Sequence, residues 1–252
     1  MKRVAAAIMV MALTLSMSGC FLVNGKQYKK SKDKVFSAAD EACGAQVLSE
    51  DEVEELMDLN EKDEELPEEY QELLDGGICV ELSKDQIEER LDTLDLEDVT
   101  QLDDDAGFSV EDLQNIALFV KKEGDISKDS DIEEYGNIGV IMATVIDFKK
   151  KSVCEDVFDE LFASYKQMAM LMDISAGRDD SLKCASEKGK RDIGLLIVQE
   201  DGLSMAMYIE RAGDTITMVT CTAPSDSDLF EEFLEFDEIA GFAGFRTMYE
   251  EL

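Results

Sequence analysis

Carboxylates are the most abundant side chains in this sequence that could take part in catalysis. The 252 residues include 59 Asp and Glu against 24 Lys and Arg, and they include no His. Two carboxylates facing each other across a cleft, one with a raised pKa, would suit a glycosidic hydrolase. Without His, the chain cannot form a Ser-His or Cys-His nucleophile pair or a His-ligated zinc site. Because the sequence singles out no carboxylate pair, we expect most acids on the solvated surface.

Two acidic runs are dense in the oxygen ligands that calcium prefers, residues 103–105 and residues 125–133. Neither fits the EF-hand loop. A loop that starts at Asp129 has Glu134 where Gly is required and Val140 where the bidentate Glu is required. We therefore expect at most weak calcium binding on acidic loops, with no dedicated metal site and no other cofactor.

Cys20 stands at the end of a segment that has the features of an export signal. A basic pair, Lys2-Arg3, is followed by an apolar run over residues 4–15. This run is shorter than the roughly 20 apolar residues that a membrane-spanning helix needs. Small residues follow it, in the order Met17-Ser18-Gly19-Cys20.

These four residues resemble the lipobox of bacterial lipoprotein precursors, with Met17 where that box usually has Leu. The resemblance covers the N-terminal segment only, and the rest of the chain carries no family motif. It implies that residues 1–19 are a signal peptide and that Cys20 carries diacylglycerol and an acyl chain such as palmitate. It also implies anchoring on the outer face of the bacterial cell membrane. An uncleaved anchor over residues 4–23 is the alternative, although its Ser, Thr and Gly content makes it a poor span.

Residues 20–34 are predicted to be a basic, flexible tether. Four lysines precede the first acid of the mature chain, Asp33. Each Lys near an anionic lipid surface contributes about 1 kcal/mol to binding. The body beyond the tether is strongly acidic, so we expect the membrane to repel it and the body to stand off.

Five cysteines remain in the mature chain besides Cys20, and no C-x-x-C motif occurs among them. An exported chain permits disulfides. Cys184 precedes a predicted meander and Cys221 lies at its end, so a disulfide between these two is the pairing that we predict. Cys43 lies on the apolar face of a predicted helix and is expected to be a small buried side chain.

Residues 35–106 are predicted to be acidic and mainly helical. Ser49 with Glu52, and Ser83 with Gln86, have the spacing of capping boxes that start helices. Between the two boxes, residues 78–82 are predicted to form a short strand. The apolar fraction of 45% supports a folded core in spite of the net charge of −35.

Residues 107–252 are predicted to form an α+β domain, in which an antiparallel sheet has helices on one face. Residues 138–148 are apolar on both sides, which is typical of a central strand that is covered twice. Ser152 with Glu155 predicts the start of a long helix.

A three-strand meander is predicted at the C-terminus, over residues 193–199, 203–211 and 215–222, because the turns between these strands are too short for parallel crossovers. Pro224 then breaks the last strand, and Ser225 is predicted to start a final helix.

The sequence thus predicts a lipid-anchored extracytoplasmic surface protein with a binding or scaffolding role and no catalytic activity. Its charge excludes a basic surface for nucleic acid and favours a basic protein or peptide as partner. One alternative is an extracellular carboxylate-dependent hydrolase. Another is the solute-binding lipoprotein of an importer, whose two lobes of parallel strands differ from the predicted meander.

Overall fold

The computed structural model describes residues 25–61, 68–84, 86–87, 112–123, 139–179, 181–199 and 202–252. Within these residues the helices are Gly25–Cys43 (α1), Glu50–Glu61 (α2), Glu68–Gly76 (α3), Lys151–Ala176 (α4), Asp228–Ala240 (α5) and Phe245–Glu251 (α6). The strands are Gln46–Val47 (β1), Ile78–Ser83 (β2), Leu113–Glu123 (β3), Gly139–Phe148 (β4), Leu182–Lys188 (β5), Asp192–Gln199 (β6), Leu203–Ala212 (β7) and Thr215–Pro224 (β8).

The strands of the described residues form one sheet in the order β1-β2-β3-β4-β8-β7-β6-β5. β1 pairs with β2 in parallel, and the other neighbours are antiparallel. The α+β class and the C-terminal meander are confirmed. The meander has one more strand than predicted, because β5, with the polar sequence LKCASEK, lacks the apolar pattern of β6 to β8.

Helices cover both faces of the sheet. On the face that we call the α1 face, Phe233 of α5 packs with Val145 and Val219 of the central strands. On the opposite face, Phe158 of α4 packs with Ile146 and other strand residues, and α2 and α3 add to that layer. The prediction of helices on one face is therefore wrong. Because β4 is apolar on both sides, each side needs a cover.

Helix α1 corrects the predicted tether over residues 25–34, while residues 20–24 of that tether lie outside the described residues. The helix begins at Gly25, and Tyr28 and Ser31 are already buried against the sheet. Its last residue is Cys43. The next residue, Gly44, adopts φ +66°, and the amide of Ala45 donates back to the carbonyl of Ala39 over 3.1 Å. Residues 25–34 are thus part of the folded body, because Tyr28 and Ser31 lie on the same helical face as the buried Val35.

The predicted boundary between residues 35–106 and residues 107–252 is not a domain boundary in the described residues. β2 pairs along its whole length with β3, from Ile78 opposite Val120 to Ser83 opposite Asn115. A strand from the N-terminal region therefore completes the same sheet as the C-terminal strands.

Of the three predicted capping boxes, two are confirmed and one is wrong. The box at Ser49 is confirmed, since its amide donates to Glu52 over 2.7 Å. The box at Ser83 is confirmed in its hydrogen bond to Gln86, at 2.9 Å. The box at Ser152 is wrong, because α4 begins at Lys151 and its N-cap, residue 150, makes no side-chain capping bond.

The start of α5 was also predicted at the wrong serine. Its N-cap is Ser227, whose Oγ atom accepts from the amide of Phe230 over 3.2 Å. Ser225 instead donates to the carbonyl of Gly202 over 2.9 Å, which closes the end of the meander. Both serines follow Pro224 closely, and the sequence alone does not separate them.

Candidate functional site

The predicted disulfide between Cys184 and Cys221 does not fit the fold. Cys184 lies on β5 and Cys221 on β8, with β6 and β7 between them. Three strand spacings amount to about 14 Å, whereas the Cα atoms of a disulfide lie within about 7 Å. The register also places Cys184 in the row of Ile197, Met205 and Thr222, so Cys184 and Cys221 point to opposite faces. The short turns that predicted the meander do not bring its ends together.

The buried thiols lack the character of reactive cysteines. Burial raises the pKa of Cys43 to about 12 and that of Cys79 to about 12. Burial likewise raises the pKa of Cys154 and of Cys221. Since the thiolate is the nucleophile, these side chains act as small apolar groups, as was predicted for Cys43. Cys20, the predicted lipid-attachment residue, lies outside the described residues.

A buried carboxyl group lies where β4 ends. Asp147 is 2% exposed, and its Oδ2 atom accepts a hydrogen bond from Nδ2 of Asn115 over 3.1 Å. The register pairs Asp147 with Asn115 on β3 and with Thr215 on β8, so the three side chains share the α1 face. Burial, with a smaller contribution from the charge of Asp214, raises the pKa of Asp147 to about 6.

Asp214, in the turn between β7 and β8, is the second carboxyl of this cluster. Its carbonyl accepts from the amide of Phe148 over 2.9 Å, which holds the turn against the end of β4. The Oδ1 atom of Asp214 and the Oγ1 atom of Thr215 are buried, and neither has a hydrogen-bond partner among the described residues. Buried polar atoms of this kind lower stability.

The Asp147–Asp214 pair meets only part of what carboxylate-dependent hydrolysis requires. A carboxyl with a raised pKa suits a general acid. However, Asp147 is 2% exposed and Asp214 is 7% exposed, and a substrate must reach both carboxyl groups from solvent. The pair is therefore a buried polar site of the fold and does not support the hydrolase alternative.

Asp147 makes the stability of the protein depend on pH. Its pKa is 3.8 in the reference state and about 6 in the fold, so the folded state binds the proton more tightly. The stabilising effect of this proton is complete below pH 4 and is lost as the pH rises through 6. Asp147→Asn cannot ionise, so we expect it to be more stable than the wild type at pH 7, by about 3 kcal/mol.

Urea unfolding of both proteins at pH 4, 5, 6 and 7 measures this difference. The advantage of Asp147→Asn is expected to grow between pH 4 and pH 7. Asp173→Asn, which removes an exposed carboxylate, is the matched control and is expected to show no such growth. Equal stability of the wild type and Asp147→Asn at every pH would contradict the buried state of Asp147.

Sequence reasoning did not find this cluster, although one signal was present. Asp147 is the only acid within the apolar run that predicted a central strand, residues 138–148. An acid in such a strand must have a buried partner or a raised pKa. Its partners, Asn115 and Asp214, are distant in sequence and are identified only by the strand order.

The structure does not describe the two acidic runs that were predicted to bind calcium weakly. Residues 103–105 and 125–133 fall outside the described residues. Over the part of the chain that the structure describes, no group of three or more Cys, Asp or Glu is placed to hold a metal ion.

None of the helices described has the length and apolar composition of a membrane span.

The fold and this site together define an α+β protein in which an antiparallel sheet lies between two layers of helices. No family model matches the chain, and no curated protein matches it. Among solved structures, it has a distant likeness to the extracellular domain of PknH from Mycobacterium tuberculosis. The identity is 9%, the match covers 51% of this chain and 65% of that chain, and the TM-score is 0.26. A likeness of that size carries no argument about function.

Proposed function

We propose that this chain is a lipoprotein precursor whose mature form is anchored through Cys20 to the outer face of a bacterial cell membrane. The observation that carries the proposal is the sequence Met17-Ser18-Gly19-Cys20 directly after a short apolar run. Cleavage before Cys20 leaves all of the described residues in the mature chain.

The body of the protein has a binding or scaffolding role in this proposal. The buried thiols and the buried Asp147–Asp214 pair offer no group that is both reactive and accessible. A net charge of −35 favours a basic protein or peptide as partner, whose binding weakens as salt rises. Weak calcium binding to the acidic surface fits the same electrostatics, and nucleic acid does not.

Digestion of intact protoplasts with trypsin tests the outward location. We expect the body to be degraded while the protoplasts remain closed, because an extracytoplasmic protein is exposed to the external protease. A cytoplasmic protein in the same sample is the control and must survive. If the chain is degraded only after lysis, it is not on the outer face and the proposal fails.

A further inference from the structure

The sheet has one long strand at an edge, β5. All seven residues of β5 pair with β6, from Leu182 opposite Gln199 to Lys188 opposite Ile193. β5 is the last strand in the order of the described strands, and in that order it has no neighbour on its other side. A strand of this kind can extend the ladder by pairing with another chain. The opposite edge is formed by β1, which has only two residues.

Helices of the same chain cover both faces of β5. On the face opposite α1, Leu182 and Cys184 pack with Met168 and Met172 of α4. On the α1 face, Ala185 packs against the core to which α6 contributes. The outer edge of β5 is therefore the part of the strand at which a partner can pair.

The two long segments outside the described residues join the sheet far from this edge. Residues 88–111 follow β2 and precede β3, and residues 124–138 connect β3 to β4. β4 is four strand spacings from β5, which amounts to about 19 Å.

The sequence around β5 departs from the acidity of the whole chain. Residues 178–192 contain five bases and four acids, whereas the whole chain has 24 bases and 59 acids. The charged residues before β5 are one base and two acids, Arg178, Asp179 and Asp180. Those after it are two bases and one acid, Lys190, Arg191 and Asp192. The two ends of the strand thus have opposite net charge.

These charges are complementary to a second copy of the same strand. Antiparallel pairing of two β5 strands about Ala185 places Lys183 of each copy opposite position 187 of the other, which is a Glu. It also brings the acidic end of each strand to the basic end of the other. Side chains keep their faces only in registers that differ by two residues. The neighbouring registers place Lys183 opposite Ala185 or Gly189 and form no pair of opposite charges there.

We infer that β5 is a dimer interface, at which two copies of this chain pair antiparallel about a two-fold axis at Ala185 and form one continuous sheet. Lysine on an edge strand usually opposes pairing with other chains. Here the acid that complements Lys183 belongs to the same strand, so the charges favour a second copy over an unrelated partner. The inference goes beyond the proposed binding role and does not require the lipid anchor.

Apolar surface next to the edge adds to this interface. Three of the four large apolar side chains that are exposed in the described residues are Met170, Leu171 and Ile174 of α4. They lie on the part of α4 that packs on β5 through Met168 and Met172. The two-fold axis is perpendicular to the sheet, so α4 of the second copy lies on the same face. Contact between the two helices removes apolar surface from water.

The dimer is expected to be weak. A pair of seven-residue strands buries less than the roughly 800 Å² per partner of a standard interface. The helices that pack on β5 also carry exposed acids, Asp173 on α4 and Glu250 and Glu251 on α6, against one exposed base on α4, Lys166. Their repulsion and the net charge of −35 oppose association. Because the Debye length is about 8 Å at physiological ionic strength, we expect a dissociation constant in the micromolar range there.

Sedimentation velocity of the unlipidated mature chain, residues 20–252 with Cys20→Ala, tests the dimer under reducing conditions at physiological salt. We expect the wild-type chain to pass from monomer to dimer as its concentration rises. Lys183→Glu and Glu187→Lys each place like charges opposite each other, so each alone should raise the dissociation constant at least about tenfold. An equal mixture of the two variants should associate like the wild type, because every pair in the mixed dimer again joins an acid to a base.

The matched controls change the same charges at exposed positions away from β5. Lys29→Glu on α1 and Glu72→Lys on α3 should each keep the dissociation constant of the wild type. Their mixture should associate no more strongly than either variant alone.

Oxidative cross-linking tests the register. In the background Cys184→Ser, Ala185→Cys places the two new thiols opposite each other at the axis, and copper phenanthroline should join them in a disulfide-linked dimer. Lys183→Cys in the same background is the control. Its two thiols lie about 13 Å apart along the strands and should not be joined.

The outcomes decide the inference in both directions. Restored association in the mixture of Lys183→Glu and Glu187→Lys, with cross-linking at position 185, supports the β5 dimer. A chain that stays monomeric at every concentration overturns it. A dimer that neither charge variant weakens, or that cross-links as well through Lys183→Cys as through Ala185→Cys, also overturns it. None of these outcomes depends on lipid attachment, which the tested chain lacks.

Discussion

We expect the replacement of Cys20 by Ala to move the protein from the membrane fraction to the soluble fraction, because the proposed lipid anchor is lost. Cys20 is the only predicted attachment point, since the acyl chains of a lipoprotein are carried by the cysteine that follows the cleavage site. We expect nearly complete transfer, measured by detergent phase partition and immunoblotting of cells that express each form.

The matched control for this variant is Cys184→Ala, which removes a partly exposed thiol from the body and should stay in the membrane fraction. Retention of Cys20→Ala in the membrane fraction would contradict the lipoprotein assignment. It would favour the alternative, in which residues 4–23 remain attached as an uncleaved anchor.

Asp237→Ala is expected to have the largest effect on stability. Asp237 is 1% exposed, and its two carboxylate oxygens accept from the amides of Ala243, at 3.0 Å, and Phe245, at 2.7 Å. These bonds hold the turn between α5 and α6. Alanine leaves two buried amides without an acceptor, which costs about 3 to 5 kcal/mol of unfolding free energy.

Urea unfolding of an unlipidated chain that starts at Gly25 measures this loss. Asp237→Asn keeps one acceptor oxygen and should lose roughly half as much. Glu235→Ala, an exposed position on the same helix, is the matched control and should lie within about 0.5 kcal/mol of the wild type. Equal stability of Asp237→Ala and Glu235→Ala would show that the turn does not depend on this carboxylate.

The sequence predicted those parts of the fold in which local pattern and tertiary environment agree. The central strand over residues 138–148 and the strands of the meander have apolar patterns and turns that allow few alternatives. The capping box at Ser49 involves only neighbouring residues, and the sequence predicted it correctly. The box at Ser152 failed because Glu155 pairs with Lys151, at 2.8 Å, and with Arg211, at 3.0 Å. The pair with Arg211 is a tertiary contact, which is not visible in a capping pattern, whereas the pair with Lys151 is local to the helix.

The candidate sites also divide into one that local sequence predicts and others that depend on tertiary structure. The lipobox at Cys20 is a local motif, and the sequence alone predicts it. The Asp147 cluster depends on strand order, which brings residues from β3, β4 and the β7–β8 turn to one end of the sheet. Nothing in the spacing of Asn115, Asp147 and Asp214 predicts that they lie close together.

The mass of the N-terminal tryptic peptide from the membrane fraction tests the lipoprotein assignment most directly. The assignment predicts a peptide that runs from Cys20 to Lys26 and carries diacylglycerol on the Cys20 sulfur. An unmodified peptide from Val4 to Lys26, cut after Arg3, would show that the signal remains attached and would contradict it.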